Sequence, residues 1–142
     1  MTVAEFMTPH PVTVGLDEPI PALLELFADH HCHHLLVVDK GALVGVISDR
    51  DVLRHVSPFA GTLAEQRRDL DTVRLHAHQI MTREPLVADP DEEIDEVAGR
   101  LLRAGISCLP VVRKSGRLVG VLTWRDLLRA LLSVQPPLLR GV

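Results

Sequence analysis

GRLVGVLTWRDLLR, residues 116–129, repeats an earlier stretch, GALVGVISDRDVLR, residues 41–54. The two 14-residue windows agree at nine positions: the first Gly, the Leu-Val-Gly-Val run, Arg-Asp and the final Leu-Arg. Each window predicts a strand, LVGV extended by Ile47 or Leu122, that meets a hydroxyl residue, Ser48 or Thr123. Three residues on comes an acid, Asp51 or Asp126, in the first turn of an amphipathic helix. A strand that runs into a helix start offers unpaired N–H groups and the positive end of the helix dipole to a polar ligand. Two copies predict two half-sites.

Outward from these windows the likeness covers nearly the whole chain. Met7-Thr8 matches Met81-Thr82 and Pro11 matches Pro85, 74 residues apart. The same spacing pairs Asp17-Glu18 with Asp91-Glu92, Ile20 with Ile94, and Val37-Val38 with Val111-Val112. Ser115 then adds one residue, so Gly41 pairs with Gly116. A repeat of this length present twice is an internal duplication with pseudo-two-fold symmetry, not an extended solenoid. It divides the chain into a first repeat over 1–56, a connector over 57–80, a second repeat over 81–133 and a tail over 134–142.

Each repeat predicts strand–helix–strand–turn–strand–helix, an α/β fold of small three-stranded sheets covered by helices. In the first repeat, a turn of helix leads to Met7-Thr8-Pro9 and Pro11 to Val14 form a short strand. Asp17 then caps a helix running to about Asp29, with Ile20, Leu23, Leu24 and Phe27 on one face. Pro19 and Pro21 fall in its first turn, where a missing N–H is tolerated. Leu35 to Val38 is a continuously apolar strand, as expected for one covered on both faces. Asp39-Lys40-Gly41 turns the chain, Leu43 to Ile47 returns antiparallel, and a helix spans about Asp49 to His55. The second repeat follows with Leu86 to Ala88, a helix over about 92–104, Leu109 to Val112, Leu118 to Leu122, and a helix over about Trp124 to Leu132. Pro136-Pro137 are expected to stop that last helix and leave a frayed end. The first two strands of each repeat should be parallel and the third antiparallel to the second.

The connector reads as a single helix. Thr62 and Glu65 have the spacing of a capping box, Leu63, Leu70, Val73, Ala77 and Ile80 form an apolar stripe, and Arg67, Arg68, Asp69 and Asp71 face water.

Composition narrows the function classes. Aliphatic residues must build the core, because hydrophobic content is 46% but aromatic content only 3%. A formal charge of −4 without a basic block argues against a nucleic-acid surface. No apolar run approaches the roughly 18–20 residues that span a bilayer. The N-terminus lacks a basic-then-apolar signal, which predicts a cytoplasmic protein. Cys32 and Cys108 occupy non-equivalent repeat positions and read as free thiols. No nucleophile–base pair, Gly-rich phosphate loop or repeated carboxylate pair points to an enzyme.

Two copies of Met-Thr, a short strand, an Asp-led helix, an apolar strand (LLVVD and LPVV) and G-x-L-V-G-V-[IL]-[ST]-x-R-D-[VL]-L closely resemble tandem cystathionine-β-synthase (CBS) domains, the pair called a Bateman module. The resemblance covers roughly residues 5–132 and leaves no catalytic domain over, so it implies a stand-alone CBS pair. It implies a non-catalytic regulatory module, with no cofactor required. Its ligand would be an adenosine compound (AMP, ADP, ATP, S-adenosylmethionine or NAD) held in clefts between the repeats. It also implies a homodimer forming a four-repeat disc that signals to an effector protein.

By the same resemblance Asp51 and Asp126 accept hydrogen bonds from ribose hydroxyls, with Ser48 or Thr123 near ribose and phosphate. One cleft would join Thr123, Arg125 and Asp126 with Thr8, Val12, His33 and His34. The other would join Ser48, Arg50 and Asp51 with Thr82, Ile106, Ser107 and Cys108. The chemistry agrees: a carboxylate accepts from vicinal hydroxyls, while Arg50, Arg125, His33 and His34 can face a phosphate. If those imidazoles supply charge, phosphate binding weakens as pH rises from about 6 to 8. Asp49 stands where the second repeat has Trp124, and this extra charge makes the Asp126 cleft the expected phosphate binder.

Two alternatives remain at this level. One is a structural dimerisation module without ligand. The other is a metal sensor at His30-His31-Cys32-His33-His34, since imidazole and thiolate bind zinc or nickel. Consecutive side chains at a helix end diverge, however, and the second repeat has Ala104 to Cys108 there without histidine. The favoured reading therefore assigns no metal.

Overall fold

The repeated strand–helix windows fold alike in the computed structural model, which describes residues 1–134. Pro136 and Pro137, expected to stop the last helix, lie outside the described residues. In chain order the elements are α1 (Val3–Phe6), β1 (Thr8–Pro9), β2 (Thr13–Val14), α2 (Ile20–His30), β3 (His34–Asp39), β4 (Ala42–Ser48) and α3 (Asp49–His55). Then come α4 (Arg67–Val73), α5 (Ala77–Ile80), β5 (Thr82–Arg83), α6 (Ile94–Ala104), β6 (Cys108–Val112), β7 (Leu118–Thr123) and α7 (Trp124–Ser133). They assort into two compact units. One holds residues 11–85; the other combines residues 1–10 with the described residues from Leu86 to Val134.

The unit over 11–85 has a four-stranded sheet in the order β2-β3-β4-β5. β2 runs parallel to β3 (Thr13 opposite Leu36) and β4 antiparallel to β3 (Leu35 opposite Ile47), as the connection rules require. Leu35, Leu36 and Val37 are buried in succession, the mark of a strand covered on both faces. Val14, Ile20, Leu23, Phe27, Ile47 and Val52 close the core with Ala77 and Ile80. Each such fully buried aliphatic side chain contributes about 1.5–3 kcal/mol. Lys40 and Gly41 both have positive φ, 49° and 80°, which joins β3 to β4 through a tight hairpin turn whose twist suits the strands.

The other unit repeats the design with β1-β7-β6. Leu109 lies opposite Leu122, and Ala88 makes a lone parallel bridge to Val111 in place of a full first strand. Val3, Ile94, Val97, Leu101, Leu109, Val111 and Leu122 form its core.

Each sheet gains a strand from the lead-in of the other repeat, which makes four strands in the first sheet and three in the second. β1 carries Met7-Thr8 yet pairs with β7, and β5 carries Thr82 yet pairs with β4. The lead-in of each repeat is thus docked on the hairpin of the other. Gly45 and Gly120, the central residues of the twin LVGV runs, make this possible. A Cβ on Gly120 would stand 2.7 Å from the Met7 sulfur and 2.9 Å from the Thr8 carbonyl oxygen. A Cβ on Gly45 would stand 2.5 Å from the Met81 sulfur and 3.0 Å from the Thr82 carbonyl oxygen. The repeated Met-Thr and the repeated glycine are two sides of one contact.

Three local expectations are corrected. Extended Pro19, not Asp17, is the N-cap of α2, because the Asp17 carboxylate stands in solvent 3.9 Å from His78 Nδ1. The connector is not one helix: residues 57–66 are turns and bends, followed by α4 and α5. Thr62 and Glu65 serve those turns, the Thr62 hydroxyl donating to the Phe59 carbonyl and Glu65 accepting from Gly61 N–H. The box that starts α4 is Gln66 with Asp69, and Asp69 is buried rather than facing water. The Ser57 hydroxyl donates to it at 2.6 Å and Gln66 N–H at 2.7 Å, holding its carboxyl below the ordinary range despite burial. Leu63, assigned to the apolar stripe, is fully exposed, whereas Ala77 and Ile80 are core.

Candidate functional site

Ser48 and Thr123 end β4 and β7 in extended geometry and cap α3 and α7. A capping box needs a hydroxyl and, three residues on, a side-chain acceptor. Here that acceptor is Asp51 or Asp126, which turns back to accept from the N–H of Ser48 at 2.7 Å or of Thr123 at 2.8 Å. Both carboxylates are therefore held at a strand end by backbone geometry rather than by their own rotamer freedom.

In the unit containing α7, Asp126 is fully buried. The Thr8 hydroxyl, presented by β1 opposite Val121, donates to its Oδ1 at 3.2 Å. Thr123 donates a second bond, from its hydroxyl, to Oδ2 at 3.0 Å. Arg129, one turn along the helix, donates to Oδ1 at 2.6 Å. Cys108 lies opposite Thr123 on β6, Ser107 offers its carbonyl to the Trp124 N–H, and Ile106 packs on the core. Arg125 is exposed.

In the unit containing α3, the Asp51 side chain is 18% exposed and Arg54 stays 3.9 Å away. The Ser48 hydroxyl accepts from Asp51 N–H at 3.1 Å. Thr82 lies opposite Val46, the place Thr8 has opposite Val121. His34 lies opposite Ser48, the Val12 carbonyl accepts from Leu36 N–H, and Arg50 is exposed. Each carboxylate is thus brought together with its hydroxyl, and Asp126 also with the threonine of a lead-in, while Thr82 holds the equivalent register on β5. Val12, His33 and His34 belong to the unit of Asp51, and Ile106, Ser107 and Cys108 to that of Asp126.

The charges expected of His34 and of Asp49 are corrected. His33 Nδ1 and Asp49 Oδ2 are 2.7 Å apart. Burial works to raise the Asp49 carboxyl, but the His33 bond and charge outweigh it and hold it low. Asp49 is therefore engaged by His33 and is not a bare extra charge. Burial also holds the His34 imidazole below its ordinary value of 6.5, against the weaker pull of Asp49 and Asp51. His34 is mainly neutral at pH 7 and is a poor source of charge for a phosphate. Among the described residues, no three His, Cys, Asp or Glu side chains are placed to hold a metal ion. Burial likewise raises the Cys32 thiol, which stays protonated.

The His34 shift has a stability consequence. Its folded pKa lies below its unfolded one, so the unfolded chain takes up the proton first. Its effect on stability is absent above about pH 6.5 and destabilises progressively as pH falls through that value toward the folded pKa. Urea unfolding should give a lower midpoint at pH 5.5 than at 7.5, and His34→Gln should flatten that difference. An unchanged slope in the variant would remove His34 as the cause.

Sequence reasoning missed Arg129, although its spacing of three from Asp126 on one helix face was a readable signal. It also missed the His33–Asp49 pair, which only the strand register brings together.

The CBS domain family matches residues 3–58 and 77–133. A CBS domain-containing protein of Dictyostelium discoideum is 35% identical over 95% of this chain and 94% of its own length. L-aspartate semialdehyde sulfurtransferase of Methanocaldococcus jannaschii is 30% identical over 89% of this chain, which spans only 22% of that enzyme. Among solved structures, CBSX2 in complex with AMP has a TM-score of 0.80 at 32% identity and covers 95% of this chain and 98% of its own. The CBS domain pair of protein MJ0100, in complex with 5′-methylthioadenosine and S-adenosyl-L-methionine, has a TM-score of 0.79 at 27% identity with the same two coverages. With both repeats matched and nearly the whole chain aligned, this protein belongs to the CBS domain family, as two CBS domains in tandem.

Proposed function

We propose that the chain is a non-catalytic regulatory module that binds an adenosine compound and passes its occupancy to a partner protein. One observation carries this reading: each unit fixes a carboxylate, Asp51 or Asp126, at the junction of strand and capped helix, beside the threonine-bearing strand of a lead-in. Such a carboxylate suits the two adjacent hydroxyls of a ribose. Relatives solved with AMP and with S-adenosyl-L-methionine support the choice of ligand class. Signalling would be a population shift, driven by unequal ligand affinity for two arrangements of the protein. A homodimer in the cytoplasm fits this reading. Trp124, Leu128, Leu131 and Leu132 are exposed on one face of α7, and no helix among the described residues is long and apolar enough to cross a membrane.

A thermal-shift screen with AMP, ADP, ATP and S-adenosylmethionine tests the proposal, with light scattering on the same samples to read the copy number. A ligand at 100 times its dissociation constant stabilises the folded chain by about 2.7 kcal/mol. An unmoved melting temperature with all four compounds would reject ligand sensing and leave a structural module.

A further inference from the structure

Asp51 and Asp126 hold the same place in the two repeats, yet their carboxylates are in different states. A carboxylate offers about four lone-pair positions. At Asp126 all are taken: Oδ1 by the Thr8 hydroxyl and Arg129, Oδ2 by the N–H and hydroxyl of Thr123. At Asp51 the only donor within hydrogen-bond reach, among the described residues, is Ser48 N–H on Oδ2. Arg54 Nη1, 3.9 Å from Oδ1, is beyond it.

Three residue pairs make the difference. The Thr123 hydroxyl donates into the carboxylate beside it, whereas the Ser48 hydroxyl accepts from Asp51 N–H. Thr8 reaches Asp126 from β1, while Thr82, in the equivalent register on β5, makes no bond to Asp51 among the described residues. Arg129 closes on its acid at 2.6 Å where Arg54 stands off. Exposure follows the same order, 18% for the Asp51 side chain against none for Asp126.

We infer that the chain takes one nucleoside ligand, gripping its vicinal hydroxyls at Asp51, and that Thr8 and Arg129 stand in for a ligand at Asp126. This deepens the proposed function and rests on it. A ribose diol needs two open acceptor positions. Asp51 has them on Oδ1 and on the second lone pair of Oδ2. At Asp126 each hydroxyl must first displace an existing donor from a buried carboxylate, which gives back most of what the new bond supplies. Of the two donors on Oδ1, the Arg129 side chain is 60% exposed and can swing into water, whereas the Thr8 hydroxyl is fixed by β1. Thr8 therefore determines how many ligands are held, and Asp51 determines whether the first is held at all.

Isothermal titration with AMP, and separately with S-adenosylmethionine, tests this at pH 7.5 on four proteins whose folding is checked by circular dichroism. The unaltered chain should bind one equivalent. Asp51→Ala should weaken binding at least tenfold. Thr8→Val, which removes the hydroxyl but keeps the bulk, should bind two equivalents, and Thr8→Ser, which keeps the hydroxyl, should bind one. Two equivalents on the unaltered chain, full affinity in Asp51→Ala, or a single equivalent in Thr8→Val would each overturn the inference while leaving a nucleotide sensor standing. No binding by any of the four would reject the proposed function itself, and this inference with it.

Discussion

Asp126→Ala should lower the stability of the protein by about 2–4 kcal/mol, and Asp51→Ala by only about 1 kcal/mol. Both variants lose the acid of a capping box, which typically costs about 0.5–2 kcal/mol. Beyond that cap the two sites part. Asp126 is fully buried, and its removal leaves the Thr123 N–H and the Thr8 and Thr123 hydroxyls without their acceptor. A buried donor stripped of its partner costs about 1–3 kcal/mol. Arg129 adds little, because its side chain is 60% exposed and water replaces the carboxylate. Asp51 gives up one backbone bond and an ion pair at 3.9 Å in partial contact with water. At roughly 3 °C per kcal/mol for a chain of this size, the two melting temperatures should separate by about 3–9 °C. Equal losses in the two variants would mean that the donors crowded around Asp126 do not hold it.

Most of this architecture is legible in the sequence, for a physical reason that particular elements show. Leu35 to Val38 and Leu109 to Val112 are apolar without alternation, and only a strand covered on both faces tolerates that composition. Ser48 with Asp51 and Thr123 with Asp126 are local signals, since a capping box is set by residues three apart. The failures lie where contacts are made over long range or where several turn-formers compete. Thr62 and Glu65 have a helix-start spacing, but Pro58, Gly61 and Ser57 favour turns, and Asp69 captures the cap three residues later. Asp17 loses its cap role to Pro19, because the Pro19 segment is stitched to His76 and Glu18 accepts from Ala77 N–H. No local rule could anticipate that. The inequality of the two sites was expected from the charge of Asp49, whereas the structure shows it in the hydrogen bonds of the two carboxylates. Nothing in the sequence says that His33 bonds Asp49 or that Thr8 bonds Asp126, since each depends on which strands meet.

The docking of the lead-ins is where a single substitution should have the other large effect. Gly120→Val should destabilise by about 2–4 kcal/mol and expose residues 1–9 to rapid amide exchange. A glycine in a strand interior is ordinarily a weakness of about 0.5–1 kcal/mol relative to alanine, so a larger residue would be stabilising if space allowed. Space does not allow it. The Met7 thioether, 2.7 Å from the new Cβ, is flexible and can swing away, but the Thr8 carbonyl at 2.9 Å is backbone and moves only with β1. Lifting β1 breaks the pairing of Thr8 with Val121 and of Pro9 with Gly120, together with the Thr8–Asp126 bond. Overpacking of about 1–3 kcal/mol and lost hydrogen bonds of about 1 kcal/mol each account for the total. The cause is separable: in a Met7→Ala background, Gly120→Ala should remain destabilising, because the carbonyl and not the sulfur is the immovable group. Full rescue by Met7→Ala would assign the clash to the thioether instead. Once β1 lifts, the Thr8 hydroxyl leaves Asp126 as it does in Thr8→Val, so Gly120→Val should also gain the second ligand equivalent if it stays folded. Stability equal to that of the unaltered chain would show that the LVGV glycine is not what admits the lead-in strand.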